Sequence, residues 1–384
     1  MAATDRARRH PASITSARRA SLIAGLFGSA RRGLLRAGPF GSARRGLLRA
    51  GPFDSVRRAS LRVGPAAALL LVFAAALQAA QPVRTPDFDQ MLRDQAVTDR
   101  RWREASVGFM RIEKITYRSR GDLEVPAYVF QPLDTAARSH PALVWVHENI
   151  RGHLYEHYIP YIREAVTRGY VVIAPEYRGS IGYGRELYEA IDYGGAEIDD
   201  VVVAVDVLTS KYTAVDRRRV AVIGWSHGGM IALLSAARNP ELFGGVAALV
   251  PVTNLFHRLA SKGVERQRQM IDPRNRFGGT PAERRDVYRE RSPLFQVDKL
   301  TMPVLVHFAD NDEDVTIEEG IQLVDALRAR KPALAKTKVY ASPPGGHTFD
   351  RRVDPKTWEP VNTPEQRDSW NRVWTFLEES LRNP

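Results

Sequence analysis

The sequence predicts an α/β fold, with a mostly parallel central sheet covered by helices on both faces. Three features carry that reading. Short, fully apolar runs alternate with helix-length amphipathic segments, the pattern of strands buried on both sides. Two alternating runs precede them, as an antiparallel hairpin would. A Gly-x-Ser-x-Gly turn then falls between one apolar run and the next helix.

Each element follows from its own pattern. Phe88–Ser106 carries apolar residues at helical spacing in a charged stretch and reads as a surface helix. Arg111–Arg118 and Leu123–Phe130 alternate on either side of Gly121-Asp122, which marks a hairpin turn. Ala142–Val146, Tyr170–Ala174, Val220–Gly224, Gly245–Val250 and Val304–Phe308 are short apolar runs that read as strands, and Thr337–Ala341 reads as the last strand. Between and after them, Tyr158–Arg168, Ala196–Leu208, Met230–Ala237, Glu318–Arg328 and Asp368–Leu381 have helical periodicity. The last of these sets Trp370, Val373, Trp374 and Leu377 on one face. Residues 253–300 are Arg-rich, lack periodicity, and read as a short insertion over the site.

The charge is unevenly placed. The whole chain of 384 residues has a net charge of +12, yet residues 1–65 alone hold 14 arginines against Asp5 and Asp54, which accounts for all of it. The remainder is neutral, so the basic pI does not imply a nucleic-acid partner. A thirteen-residue unit repeats there: FGSARRGLLRAGP at 27–39 and 40–52, then FDSVRRASLRVGP at 53–65. Rich in Gly and Arg, it cannot build a core, and 1–65 reads as a disordered leader. Arginines followed by the apolar run Ala66–Leu77 and Gln78-Ala79-Ala80 have the form of an export signal over 66–80. That run is shorter than the ~20 residues a membrane span needs. The expectation is cleavage near Ala79–Gln81, a periplasmic or secreted product, and no stable membrane insertion. Residues 81–110 would be an N-terminal surface segment and 111–384 the globular domain. The chain contains no cysteine, which excludes disulfides and thiolate chemistry.

The chemistry centres on Gly224-Trp225-Ser226-His227-Gly228-Gly229. With strand before and helix after, this is a nucleophile elbow of the α/β-hydrolase fold, and its glycines stand where side chains would collide. A serine hydroxyl needs a base oriented by an acid, in the chain order Ser, Asp or Glu, His. His347, in the loop Pro343–Phe349 after the last strand, is placed to be that base; His307 lies inside an apolar strand, and His257 lies in the insertion. The acid should follow Val304–Phe308, where Asp310, Asp312 and Asp314 are all candidates. Two backbone N–H groups should form an oxyanion hole, one from His227 and one from the His147–Gly152 loop near Asn149. His153 and His157 are four residues apart, but there is no H-E-x-x-H motif; no metal and no cofactor are implied.

From about Glu113 onward the chain resembles the catalytic domain of the prolyl oligopeptidase family, especially its acylaminoacyl-peptidase-like branch. Glu176-Tyr-Arg-Gly-Ser-Ile-Gly-Tyr-Gly184, the elbow, Ser292-Pro-Leu, Pro303-Val-Leu-Val-His307 and Gly346-His-Thr-Phe349 carry the likeness. In that family the acid stands three residues before a Val, as Asp312 does before Val315, and the resemblance therefore implies Asp312. It also implies a serine hydrolase acting on a peptide or acyl-peptide bond. Val146–Gly152 is similar to the corresponding loop of dienelactone hydrolases, where a glutamate meets the nucleophile. Glu148 is accordingly a candidate to touch substrate or nucleophile, with pairing to Arg151 or Arg178 as the alternative; Tyr177 and, in the insertion, His257 are further candidates to contact substrate. Fewer than 35 residues separate the expected cleavage point from Glu113, so the family's β-propeller is not expected in this chain. A carboxylesterase of small esters is the alternative reading.

Overall fold

In the structure, a computed structural model, residues 86–134 and 139–382 are described. The repeats and the expected export signal lie outside them. Among the described residues one sheet contains β1 (Arg111–Arg118), β2 (Glu124–Gln131), β3 (His140–Val146), β4 (Val171–Pro175), β5 (Val215–Trp225), β6 (Gly245–Leu249), β7 (Val304–Ala309) and β8 (Ala335–Tyr340). Their spatial order is β1-β2-β4-β3-β5-β6-β7-β8. β1 and β2 pair antiparallel, β2 meets β4 antiparallel, and every later pairing is parallel. No helix among the described residues is long and apolar enough to cross a membrane.

Alternation along the strands sorts the core into two layers. In β3, Val144 and Val146 join one apolar cluster while Leu143 and Trp145 join the other. The helices are α1 (Phe88–Ser106), α2 (Ile159–Thr167), α3 (Arg185–Glu189), α4 (Glu197–Lys211) and α5 (Ser226–Arg238), then α6 (Leu255–Ser261), α7 (Val264–Met270), α8 (Arg285–Glu290), α9 (Ile317–Arg330) and α10 (Pro364–Arg382). Residues of α4, α5 and α9 fill the first layer, and those of α2 and α10 the second, where Trp102 of α1 joins them. The helix at 88–106 is where periodicity places it, but it is more than a surface segment. Trp102 is fully buried, with its ring 5.0 Å from that of Phe130.

Two boundaries differ from the sequence reading, each for a local reason. α5 begins at Ser226 rather than Met230, because Gly228 and Gly229 lower helix propensity but are held by the packing around them. β5 begins at Val215, its charged Asp216-Arg-Arg-Arg219 carried along the sheet past a register shift opposite β3. The stretch 253–300 contains no strand and holds α6, α7 and α8. It lies between β6 and β7, over the carboxyl ends of the strands, where open α/β sheets bind ligands.

Candidate active site

Ser226 sits at the junction of β5 and α5 with φ of 51°, a left-handed backbone that a serine adopts only when its surroundings hold it there. Those surroundings are the neighbouring glycines. A Cβ on Gly224 would come 2.3 Å from the Gly228 carbonyl oxygen, and one on Gly228 would come 2.2 Å from that of His147. The close approach brings the elbow against the end of β3 and places Ser226 at the N-terminus of a helix thirteen residues long, the positive end of its dipole.

Of the three candidate acids, Asp312 is the one beside His347. Its Oδ2 accepts from His347 Nδ1 at 2.7 Å, while Oδ1 accepts the backbone N–H groups of Asp314 and Val315, each at 2.8 Å. The Asp312 side chain is fully buried and the His347 ring is 14% exposed. Because a carboxylate only accepts, Nδ1 carries the proton and Nε2 is left as the basic nitrogen. Asp310 and Asp314 are exposed; Asp310 caps the Ser342 turn at 2.6 Å, and Asp314 offers its carbonyl to Arg258.

The His347 loop is tied to strand β5. Trp225, the residue before Ser226, donates its indole N–H to Asp350 Oδ2 at 2.8 Å. Arg351 Nη1 donates to the other Asp350 oxygen at 3.0 Å and to the carbonyl of His347 at 2.7 Å. Burial pushes the Asp350 carboxyl up, and the Glu148 and Asp350 carboxylates hold the Arg351 guanidinium well above its ordinary value despite burial. Glu148 is therefore paired with Arg351, not with Arg151 or Arg178. Arg178 is engaged by Asp200, and Arg151 lies on the ring of Tyr188. His157 Nε2 is also 3.5 Å from Glu148, and burial lowers that imidazole to about 3.

The loop at 147–152 is held from beneath. Asn149 has φ of 70°, and its carbonyl and that of His147 share the Tyr177 hydroxyl, each at 3.0 Å. Tyr177 is fully buried, so it supports the loop and does not reach a substrate. His147 donates Nδ1–H to the Glu148 carbonyl at 2.9 Å; its Nε2 lies 3.0 Å from Ser180 Oγ and 3.4 Å from Glu176 Oε2. Burial lowers His147 to about 3 and raises Glu176 to about 8, so both are neutral at pH 7. The His227 side chain is buried: its Nε2 is 2.9 Å from Glu197 Oε2 and its ring lies edge-on to Tyr193. His257 contacts Thr316 and Gln322, each at 3.4 Å, and does not line the cleft at Ser226. His307 is buried, 2.9 Å from Ser369 Oγ.

The cleft at Ser226 has a volume of about 270 Å³, with Asn149, His227, Tyr193, Val252 and Arg258 among its walls. Residues 158–359 match the profile of the prolyl oligopeptidase family, more than half of the chain. The chain belongs to the prolyl oligopeptidase family. This family member is 27% identical over 192 residues to acylamino-acid-releasing enzyme 1 of Oryza sativa subsp. japonica, covering 48% of this chain and 24% of that protein. It is 30% identical over 204 residues to dipeptidyl aminopeptidase BIII of Pseudoxanthomonas mexicana, covering 51% of this chain and 28% of that protein. Among solved structures, the acylaminoacyl peptidase of Pyrococcus horikoshii superposes with a TM-score of 0.59 at 18% identity, over 72% of this chain and 43% of that one, a likeness of fold. The chain thus spans well under half the length of these relatives.

Trp225, Asp350, Arg351 and Tyr193 were not foreseen as parts of the site. Asp350-Arg351-Arg352 has the look of a solvated charge run, and only the fold buries it against a glutamate some two hundred residues earlier.

Proposed function

We propose that the chain is a serine hydrolase that cleaves peptide or acyl-peptide bonds through an acyl-enzyme. The observation carrying this is the buried Asp312–His347 pair, joined through Asp350 and Trp225 to the strand that ends at Ser226. Ser226 Oγ attacks the substrate carbonyl while His347 Nε2 takes its proton. Asp312 holds the Nδ1–H tautomer and stabilises the imidazolium. Backbone N–H groups of His227 and of the loop at Asn149 receive the oxyanion. His347 then protonates the leaving amine, and the C–N bond breaks. Water, deprotonated by His347, releases the acid and restores the serine.

Family membership and the likeness to an acylamino-acid-releasing enzyme and a dipeptidyl aminopeptidase support a peptide substrate over a simple ester. The test is labelling with a neutral fluorophosphonate probe, followed by turnover of matched acyl-peptides and short acyl-esters. Wild type should label and Ser226→Ala should not, with the fold retained by circular dichroism. Labelling that survives in Ser226→Ala would move the nucleophile elsewhere, and turnover of esters alone would replace the peptidase with a carboxylesterase. We further propose export after cleavage near Ala79–Gln81, for which N-terminal sequencing of the exported protein is the check.

A further inference from the structure

The cleft beside Ser226 is walled by three arginines, Arg151, Arg258 and Arg266, and by no aspartate or glutamate. Guanidinium groups brought together near a surface are ordinarily neutralised by carboxylates. Here two of the three have none within ion-pair distance among the described residues. Arg151 donates to the carbonyls of Tyr188 and Gly179 and stacks 3.7 Å from the Tyr188 ring. Arg266 reaches only the side-chain oxygen of Gln269, at 3.3 Å. The third, Arg258, is buried with Glu319 at 3.4 Å, but Glu319 is shared: its Oε1 also accepts the backbone N–H groups of Thr253 and Asn254 at 2.8 and 3.2 Å. Tyr193, 1% exposed, also lines the cleft, and its hydroxyl has no hydrogen-bond partner among the described residues.

The floor is of the opposite character. Val252 and Met270 line the same cleft and are buried at 1% and 3% exposure. An apolar floor under a cationic, donor-rich wall suits a side chain with a short hydrocarbon stem and an anionic head. The side of the scissile bond follows from proton delivery. His347 must protonate the leaving group, so the leaving group lies by His347. His347 does not line this cleft, whereas Asn149 and His227, on the oxyanion side, do. The cleft therefore receives the acyl part.

We infer that this cleft is an anion-selecting acyl pocket: resting on the hydrolase reading above, it gives the substrate class as peptides cleaved after an acidic residue. The carboxylate of that residue meets Arg258, Arg266 and the Tyr193 hydroxyl, and its methylenes lie on Val252 and Met270. Charge-assisted hydrogen bonds at such a site favour the acid over its amide by roughly ten- to hundred-fold in kcat/KM.

The experiment uses acetyl-dipeptidyl-aminocoumarin substrates that differ only in the residue attacked: glutamate, glutamine or leucine. A further peptide pair has glutamine in the acyl position and a free or an amidated carboxyl on the departing side. Glutamate should exceed glutamine by about ten-fold or more. In Arg258→Gln and Arg266→Gln that ratio should fall several-fold. Because it is a ratio of two substrates on one preparation, partial misfolding of the buried Arg258 variant does not move it. A wild-type ratio at or below one, a ratio unchanged in both variants, or a gain that follows the departing-side carboxylate overturns the inference. A wild type that the neutral fluorophosphonate labels but that shows no glutamate preference loses this pocket and keeps its hydrolase reading. One that the probe does not label loses both.

Discussion

Two histidines of the candidate site each lean on a carboxylate. His227 contacts Glu197 through Nε2 at 2.9 Å and His347 contacts Asp312 through Nδ1 at 2.7 Å. By distance alone the pairs are interchangeable. They differ in which nitrogen is left over and in how exposed the ring is. His227 has a 3% exposed side chain, and its remaining nitrogen, Nδ1, is enclosed without a partner. The His347 ring is 14% exposed, and its Nε2, the nitrogen remote from its backbone, is not the one engaged by Asp312. A histidine–carboxylate pair can serve as a base only through a free nitrogen that it presents, and the same contact fully enclosed is a packing device.

That contrast is open to direct attack. The largest expected effect is on His347: His347→Gln should lower kcat by roughly 10⁵–10⁶-fold, as loss of a triad base does elsewhere, while His227→Gln should stay within about ten-fold. Steady-state turnover of one activated ester decides it, and the comparison is reversed if His227→Gln is the crippled variant. The carboxylates come next. Asp312→Asn should cost about 10⁴ in turnover by upsetting the imidazole tautomer. Glu197→Gln should leave turnover within a few-fold and instead lower stability by about 1–3 kcal/mol, since its side chain is fully buried and also accepts the Gly194 N–H at 2.8 Å. Asp310→Asn should do neither to more than a small extent. Equal losses in the Asp312 and Glu197 variants would mean that both pairs serve catalysis.

A further variant separates the support of His347 from its proposed chemistry. Arg351→Met strands Glu148 and Asp350 as buried carboxylates and releases the His347 carbonyl, so it should cost about 3–5 kcal/mol in a denaturant melt. If stability is unchanged, the ion-pair network is not what holds the base loop.

The smallest effect lies under the oxyanion loop, where His147 and Glu176 are both neutral. Folded, Glu176 keeps its proton to about 8, but unfolded it loses it near 4.5. Folded, His147 stays neutral to about 3, but unfolded it gains a proton below 6.5. Between 4.5 and 6.5 the two states hold the same number of protons at this pair, and its contribution is level. Above 6.5 the folded chain holds one more, so stability falls as pH rises to 8, by about 2 kcal/mol in all. Below 4.5 the unfolded chain holds one more, and stability falls towards pH 3. Melts at pH 6.5 and 8 should show a smaller difference for Glu176→Gln than for wild type; parallel curves would mean that the carboxyl is ionised in the fold.

The regular elements and the proposed reacting residues were legible because each is written in adjacent residues. Apolar runs mark the strands, and the elbow and the Gly346-His-Thr-Phe349 loop carry their own signatures. What escaped was the pairing of distant charges. Glu148 had two nearer arginines in sequence to choose from, and Tyr177 and His257 differ from true cleft residues only in which way the chain turns them. The insertion was visible as an interruption, but its helices are six or seven residues long, too short for periodicity to register. Nothing in the sequence therefore sets its arginines at 258 and 266 apart from the other arginines of that stretch.

One feature of α5 bears on how the site comes apart. Every residue from Ser226 to Ala237 is buried, so this backbone has no solvent-facing side. Its amide hydrogens should exchange with solvent only when the whole domain opens, among the slowest in the chain. Asp312 and His347 sit instead on loops beside exposed residues such as Asn311 and Glu313, where local opening is far easier. Under mild denaturant the acid and base should detach from a serine that remains in place, and turnover should fade while the helix beneath it is still fully protected.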